Sequence, residues 1–376
     1  MTFRFLHSGD LHLGKRFGNL PEDLRGRLRE ARHAVIGRLA EIALKSGASI
    51  VLLAGDTFDT ETPSSSVLRQ ALSVMASHAT LRWVLLPGNH DSLLAEELWN
   101  AIRANLPPNV TLASETAPLP LESGFVLLPA PCNVRRPGRD LTDWMDGAVT
   151  PEGSLRVGLA HGPVQTFSEE ATGANIIAPD RAARAGLDYL ALGDWHGSMR
   201  IGERTWYSGT PEPDRFKHSA PGRALLVTVD GPGAPPQVDL METGSFEWRT
   251  AELALLDRDD ASAMLASLLP AAPLRRQTLL RILASGRLRV TSRTALDAAF
   301  SAVGPEFALA ELEVTGLATI VENADLDLID RAGALRRAAE ALLAESRDEQ
   351  RARAEREVAS EALVRLFCYY EAAQQR

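Results

Sequence analysis

FRFLHSGDLHLG, residues 3–14, decides how this chain is read. A short run in which apolar residues alternate ends at Gly9, and Asp10 and His12 follow at once. The same grammar recurs four times. SIVLLAG (49–55) leads into Asp56, WVLLPG (83–88) into Asn89-His90, LRVGLA (155–160) into His161, and YLALG (189–193) into Asp194 and His196. Apolar runs of this length read as buried strands. Each therefore delivers an oxygen or nitrogen donor at one structural position, the end of a strand, which chance rarely arranges five times.

Helical patterns lie between the runs. Leu24, Leu28, Ala31, Val35, Leu39 and Ile42 recur at helical spacing within residues 21–47, and Gly47 is placed to stop that helix. Further helices are expected over Ser64–Ser77, after Pro63, and over Leu93–Asn105. Alternating strand and helix predict an α/β fold, a layered core of central sheets flanked by helices. In open α/β sheets ligands bind beyond the carboxyl ends of the strands, where the five donors fall. Gly9, Gly55, Gly88 and Gly193 allow several loops to crowd around one site. The donors are Asp, His and Asn without a thiolate, a set that suits Mn²⁺, Mg²⁺, Fe²⁺ or Zn²⁺ at an open site.

Domain organisation follows from changes of pattern along the 376 residues, enough for two or three domains. Residues 1–215 form the α/β domain. Past a boundary near residues 210–222, Gly/Pro turns between strands and a strand–helix alternation predict a smaller α+β domain over 222–320, with GRALLVTVDG as an opening strand. Residues 325–376, rich in Ala, Leu, Arg and Glu, predict a helical tail. Its two apolar stripes are Leu335, Ala339, Leu342, Leu343 and Leu363, Leu366, Phe367, Tyr370. The tail is read either as helices packed on their own protein or as a partner-docking element.

Composition sets limits. A net charge of −9 argues against a chain that coats nucleic acid by its overall field, although bound divalent cations would reverse the sign locally. No apolar stretch approaches a membrane span and the N-terminus lacks a signal-peptide pattern, so a cytoplasmic location is the expectation. Cys132 and Cys368 are too far apart in sequence to suggest a disulfide framework or zinc knuckle. No GxxxxGK[ST] phosphate loop occurs. Lys15, Arg16, Arg135, Arg136 and Arg139 are candidate contacts to a phosphate backbone. Arg275, Arg276, Arg281, Arg287, Arg289 and Arg293 form a basic stretch that reads either as a DNA footprint or as solvated edges. His7 reads as a packing residue, Asp59 as a second-layer partner or a cap, and His218 as a residue with some chance of nearing substrate.

The blocks Asp10-Leu-His12, Gly55-Asp56-Thr-Phe-Asp59, Gly88-Asn89-His90-Asp91, His161-Gly162 and Gly193-Asp194-Trp-His196 resemble the binuclear metallophosphoesterase signature. HSGDLHLG, GDTFDTETPS and YSGTPEPDRF (207–216) are similar to the SbcD, Mre-eleven-type and YhaO-like nuclease branch, over residues 1–216. That resemblance implies a DNA exonuclease of repair, with endonuclease activity a further expectation. It implies two divalent cations, Mn²⁺ foremost, attack by a bridging hydroxide, a coiled-coil ATPase partner of the SbcC kind, and a homodimer. By position, Asp10, His12 and His196 would hold one cation, Asn89 and His161 the other, and Asp56 would bridge. His90 would assist the leaving group and Asp91 would orient His90. Asp194 stands where the family has histidine. It is read as a ligand that favours Mn²⁺ or Mg²⁺, the alternative being a weak second site that fills only with substrate. A small-molecule phosphatase or cyclic-nucleotide phosphodiesterase is a rival reading, and a weakly active scaffold for an ATPase is another.

Overall fold

The computed structural model describes residues 2–122, 124–164, 176–217, 220–320, 326 and 333–374. The chain divides into two compact units, Met1–Trp248 and Arg249–Arg376. In chain order the first unit runs β1 (Phe3–Ser8), α1 (Glu22–Lys45), β2 (Ile50–Leu53), α2 (Ser65–Ser77), β3 (Arg82–Leu85), α3 (Glu96–Ala104), β4 (Val110–Leu112), β5 (Leu119–Glu122), β6 (Phe125–Ala130), β7 (Leu155–His161), α4 (Arg181–Arg184), β8 (Tyr189–Gly193), β9 (Met199–Arg200), β10 (Thr205–Tyr207), β11 (Arg223–Val229) and β12 (Gln237–Glu242).

Two six-stranded sheets result, ordered β12-β11-β1-β2-β3-β4 and β5-β6-β7-β8-β10-β9. In β1 the two-residue period of a strand sorts side chains by face. Phe3 and Phe5 enter the core between the sheets with Leu52, Val84, Leu127, Val157 and Tyr189. Leu6 faces the other way, onto α1, α2 and α3 with Val35, Leu39, Leu72 and Trp99. The Phe5 ring meets Phe125 and Tyr189 edge-on at 5.5 Å in each case. A third cluster, with Leu128, Leu190, Ala182 and Met145, covers the outer face of the second sheet. The architecture is thus helices, sheet, sheet, helices, with the site at the carboxyl ends of β1, β2, β3, β7 and β8.

The expected helices form at α1, α2 and α3. Ser64 caps α2, its hydroxyl accepting from the Val67 N–H at 3.4 Å. One assignment differs. β11 and β12, expected to open the smaller domain, belong to the first sheet, where β11 runs antiparallel to β1 with Phe5 opposite Val227. The change in turn composition after Pro211 marks a switch from parallel crossovers to hairpin connection, not the end of the sheet.

The second unit holds the three-stranded sheet β13 (Glu247–Leu255), β14 (Thr278–Arg289) and β15 (Leu309–Ile320), with α5 (Ala261–Leu268), α6 (Ala272–Arg275), α7 (Val290–Val303), α8 (Ala334–Arg347) and α9 (Arg353–Gln374). Leu265, Leu280, Ile282, Leu288 and Leu296 form its core. The two tail stripes meet each other: Ala339 and Leu343 of α8 pack with Leu363 and Phe367 of α9 and with Val290 and Leu326. Arginines of the basic stretch are engaged within the unit. Arg275 lies 2.7 Å from Glu306, Arg281 2.8 Å from Glu311 and buried Arg293 3.1 Å from Asp297. The charges of these three arginines are thus met within the protein.

Candidate metal centre

The loops that carry the donors depart from ordinary backbone. Asp10, His12, Asp56 and Asp194 have φ of 53°, 44°, 51° and 101°. Left-handed conformation at a residue other than glycine costs roughly 1–3 kcal/mol and persists only where its surroundings enforce it. Here the loops after β1 and β2 enforce it on one another. The Asp10 N–H donates to Gly55 O at 3.1 Å, His12 N–H to Asp56 O at 3.0 Å, and Leu13 N–H to Thr57 O at 2.9 Å. In return Asp59 N–H donates to Leu13 O at 3.0 Å. Close approach also demands glycine. A Cβ on Gly193 would strike the Ala54 carbonyl and the His161 ring, and one on Gly88 would strike Asp56.

The donor side chains converge in consequence. His12 Nε2 lies 3.3 Å from His196 Nε2 and 3.7 Å from Asp56 Oδ2. His161 Nε2 lies 3.5 Å from the same Asp56 oxygen and 3.8 Å from Asp194 Oδ1. Asp56 therefore stands between the two groups, while its other oxygen accepts from the His90 N–H at 2.8 Å. Asp10 accepts from the Asp194 N–H at 3.1 Å. Ligand atoms of Asp10, His12 and His196 lie within 4.8 Å of one another, as do those of His12, Asp56 and His90 and those of Asp10, Asp56 and His161.

Hydrogen bonding fixes the tautomer that matters. His161 Nδ1 sits 2.8 Å from the Ala54 carbonyl, which can only accept, so Nδ1 carries a proton and Nε2 is the nitrogen turned toward the other donors. That Nε2 and Asn89 Oδ1 are buried without a hydrogen-bond partner. Buried polar atoms without partners are costly, and a cation among these donors, displacing any proton on Nε2, would satisfy both. The residues present fit a pair of divalent ions bound by oxygen and imidazole nitrogen.

Charge tells the same story. Burial, then repulsion from Asp56 and Asp194, raises the Asp10 carboxyl well above the usual range, against the pull of His161. Burial also pushes Asp56 up, but His161, His12 and His90 outweigh it and hold that carboxyl low. Burial draws His161 down, yet Asp56 and Asp10 raise it well above its ordinary value. Burial and Asp56 raise Asp194. Carboxylates this crowded repel one another, and positive charge placed among them relieves that.

Other expected residues fall as follows. His90 is half-buried, its Nδ1 2.9 Å from the Asp59 carbonyl, so a backbone oxygen rather than Asp91 orients the ring and Nε2 is left for other work. The Asp91 carboxylate is committed to the backbone, accepting from Gly88 N–H at 2.6 Å and Phe58 N–H at 3.0 Å. Burial, then Asp56, lifts it to about 7. Arg135 and Arg139 line a pocket with Asn89, His161 and Asp194. Arg16 and Arg136 are exposed. Lys15 Nζ lies 2.8 Å from Asp214, so its charge is met within the protein. His7 is a buried packing residue, bonded to the Tyr189 hydroxyl at 3.0 Å, and His218 lies outside the described residues.

Three residues went unread in sequence. Asp214 lies 3.4 Å from His196 Nδ1. The Thr210 hydroxyl donates to Asp10 O at 2.9 Å, and the Tyr207 hydroxyl to Gly162 O at 2.7 Å. All lie in YSGTPEPDRF, whose similarity to the nuclease branch was the available signal.

Comparison with known proteins places the chain among metallophosphoesterases. The SbcD component of the SbcCD nuclease of Rhodobacter capsulatus is 27% identical over 287 residues, covering 63% of this chain and 69% of that protein. The uncharacterized metallophosphoesterase YhaO of Bacillus subtilis is 28% identical over 243 residues, 60% of this chain and 57% of its own length. The DNA double-strand break repair protein Mre11 of Saccharolobus solfataricus is 29% identical over 92 residues, 24% of this chain and 23% of that protein. The calcineurin-like phosphoesterase model matches residues 3–198, a span that takes in every donor from Asp10 to His196, and the chain belongs to that family.

Proposed function

We propose that this protein is a metal-dependent exonuclease of DNA repair. The observation that carries the reading is the meeting of donors from five strand ends around Asp56, with His161 Nε2 and Asn89 Oδ1 buried and unpartnered beside it. The names of the relatives direct it toward DNA. Two bound divalent ions, Mn²⁺ foremost for an oxygen-rich set that includes Asp194, would acidify water and neutralise phosphate charge. Asp10, His12 and His196 would hold one ion and Asn89, His161 and Asp194 the other, with Asp56 shared.

The chain's own residues supply the rest. His90, its Nδ1 proton held by the Asp59 carbonyl, offers Nε2 to the leaving oxygen of a cleaved phosphodiester. Arg135 and Arg139, beside the pocket, offer cations to the flanking phosphates. Partnership with a coiled-coil ATPase and homodimerisation accompany this reading by resemblance. Leu335 and Val358, exposed on α8 and α9, are apolar side chains open to such a contact.

The test is Mn²⁺-dependent cleavage of single- and double-stranded DNA by wild type and His90→Asn. The variant is expected to lose about 10²–10⁴-fold in kcat with unchanged metal content. Equal activity would refute the role of His90. Cleavage of bis-p-nitrophenyl phosphate or cyclic nucleotides with none of DNA would make the protein a small-molecule phosphodiesterase. Absence of turnover with any metal would make it a scaffold subunit.

A further inference from the structure

The imidazoles on the two sides of Asp56 are backed by different chemistry. On one side, His12 Nδ1 lies 3.2 Å from Asp59 Oδ1 and His196 Nδ1 lies 3.4 Å from Asp214 Oδ1, at ion-pair distance and with no other hydrogen-bond partner. A single ammonium joins those two carboxylates: Lys15 Nζ is 2.8 Å from Asp214 Oδ2 and 3.7 Å from Asp59 Oδ1. Asp214 is further anchored by Arg215 at 2.9 Å and by Arg32 at 3.6 Å, the Arg32 side chain being 1% exposed. On the other side, His161 Nδ1 is backed by the neutral carbonyl of Ala54. The acidic donor there, Asp194, has a side chain 30% exposed, whereas Asp10 and His12 are buried.

A carboxylate behind an imidazole fixes the ring and strengthens its other nitrogen as a donor, and losing such a partner typically weakens metal binding 10–100-fold. A backbone carbonyl fixes the ring without adding charge. We infer that Asp59 and Asp214, stapled together by Lys15, are positioning residues that make the Asp10/His12/His196 half the tighter cation position. The Asn89/His161/Asp194 half is then the exchangeable one, filled second and emptied first. The three stapling residues come from three separate loops, so the staple also fixes the spacing of His12 and His196. This inference rests on the reading of the site as a two-cation centre.

Titration of metal-free protein with Mn²⁺, following the free ion by electron paramagnetic resonance, is expected to show two steps at least tenfold apart. Asp59→Asn should weaken the first step about 10–100-fold and leave the second in place. With Co²⁺ as the probe, the same substitution should change the visible absorption of the first equivalent and not of the second, which a merely structural role would not do. Asp214→Asn should act alike. Should that variant fail to fold because buried Arg32 has lost one of its partners, Asp59→Asn, at a side chain 19% exposed, carries the test alone. Two equal steps in wild type, or an Asp59→Asn effect as large on the second step as on the first, would overturn the inference. Uptake of fewer than two ions by wild type would overturn the two-cation reading and this inference with it. Two unequal steps that Asp59→Asn leaves untouched would overturn this inference alone.

Discussion

The two units of the chain obey local rules to different degrees. In Met1–Trp248, Asp10, His12, Phe17, Asp56 and Asp194 hold positive φ without being glycine, and four of them carry donors of the centre. In Arg249–Arg376, among the described residues, positive φ falls to Gly286 alone. Buried charge divides the same way. The first unit hides Asp10, Asp56, Asp91, Asp214 and Arg32 in one neighbourhood, while in the second, among the described residues, Arg293 is the buried charge and Arg275 and Arg281 meet acids nearer the surface. Strain and crowded charge are kept where chemistry needs them, and the energy that tolerates them comes from the cores on both faces of the two sheets.

That contrast can be broken most severely at Gly193. Gly193→Ala would drive a Cβ into the Ala54 carbonyl and the His161 ring. Overpacking against backbone is expected to cost about 1–3 kcal/mol and to displace His161, lowering both the melting temperature and the second equivalent of bound metal. An unaltered melt with full metal content would show that the loops have slack. A second effect, within the first unit, is read by pH. Burial holds the His7 imidazole at about 3, against 6.5 for a free one. The unfolded chain therefore takes up a proton that the folded chain refuses, and stability is lost as pH falls from 6.5 toward 3. His7→Phe should flatten the fall in melting temperature across that window, and parallel curves for the two proteins would remove His7 from the account. Least of all should change at Arg281→Ala in the second unit. Its pair with Glu311 is about two-fifths exposed on each side, so a shift within about 1 kcal/mol is expected, with DNA affinity unaltered. A marked loss of DNA binding there would revive the basic stretch as a footprint.

Much of the candidate site was legible because donors at strand ends announce themselves locally: an apolar run, a glycine, a donor. What stayed hidden depends on partners distant in sequence. Nothing beside Asp214 indicates His196, and nothing beside Lys15 indicates that Asp214, 2.8 Å away in space, will meet its charge. The arginines of β14 could be counted, but that Glu311 would lie directly opposite Arg281 depends on the register of a parallel ladder. Likewise β11 looked like the start of something new, because its pairing with β1 joins residues over two hundred positions apart. Asp91 was misjudged by adjacency: it follows His90 in the chain, but its carboxylate faces Gly88 and Phe58.

The hydrogen bond from His161 to the Ala54 carbonyl reaches across 107 residues, and in doing so it joins the first sheet to the second. Loop closure over such distances is slow and comes late, after the local hairpins and helices have formed. A chain that has built either sheet alone holds half a set of ligands. Cation uptake is thus expected to report the docking of the two sheets rather than the formation of either one. In a refolding experiment, metal binding should trail the recovery of secondary structure and coincide with the docking of the two sheets.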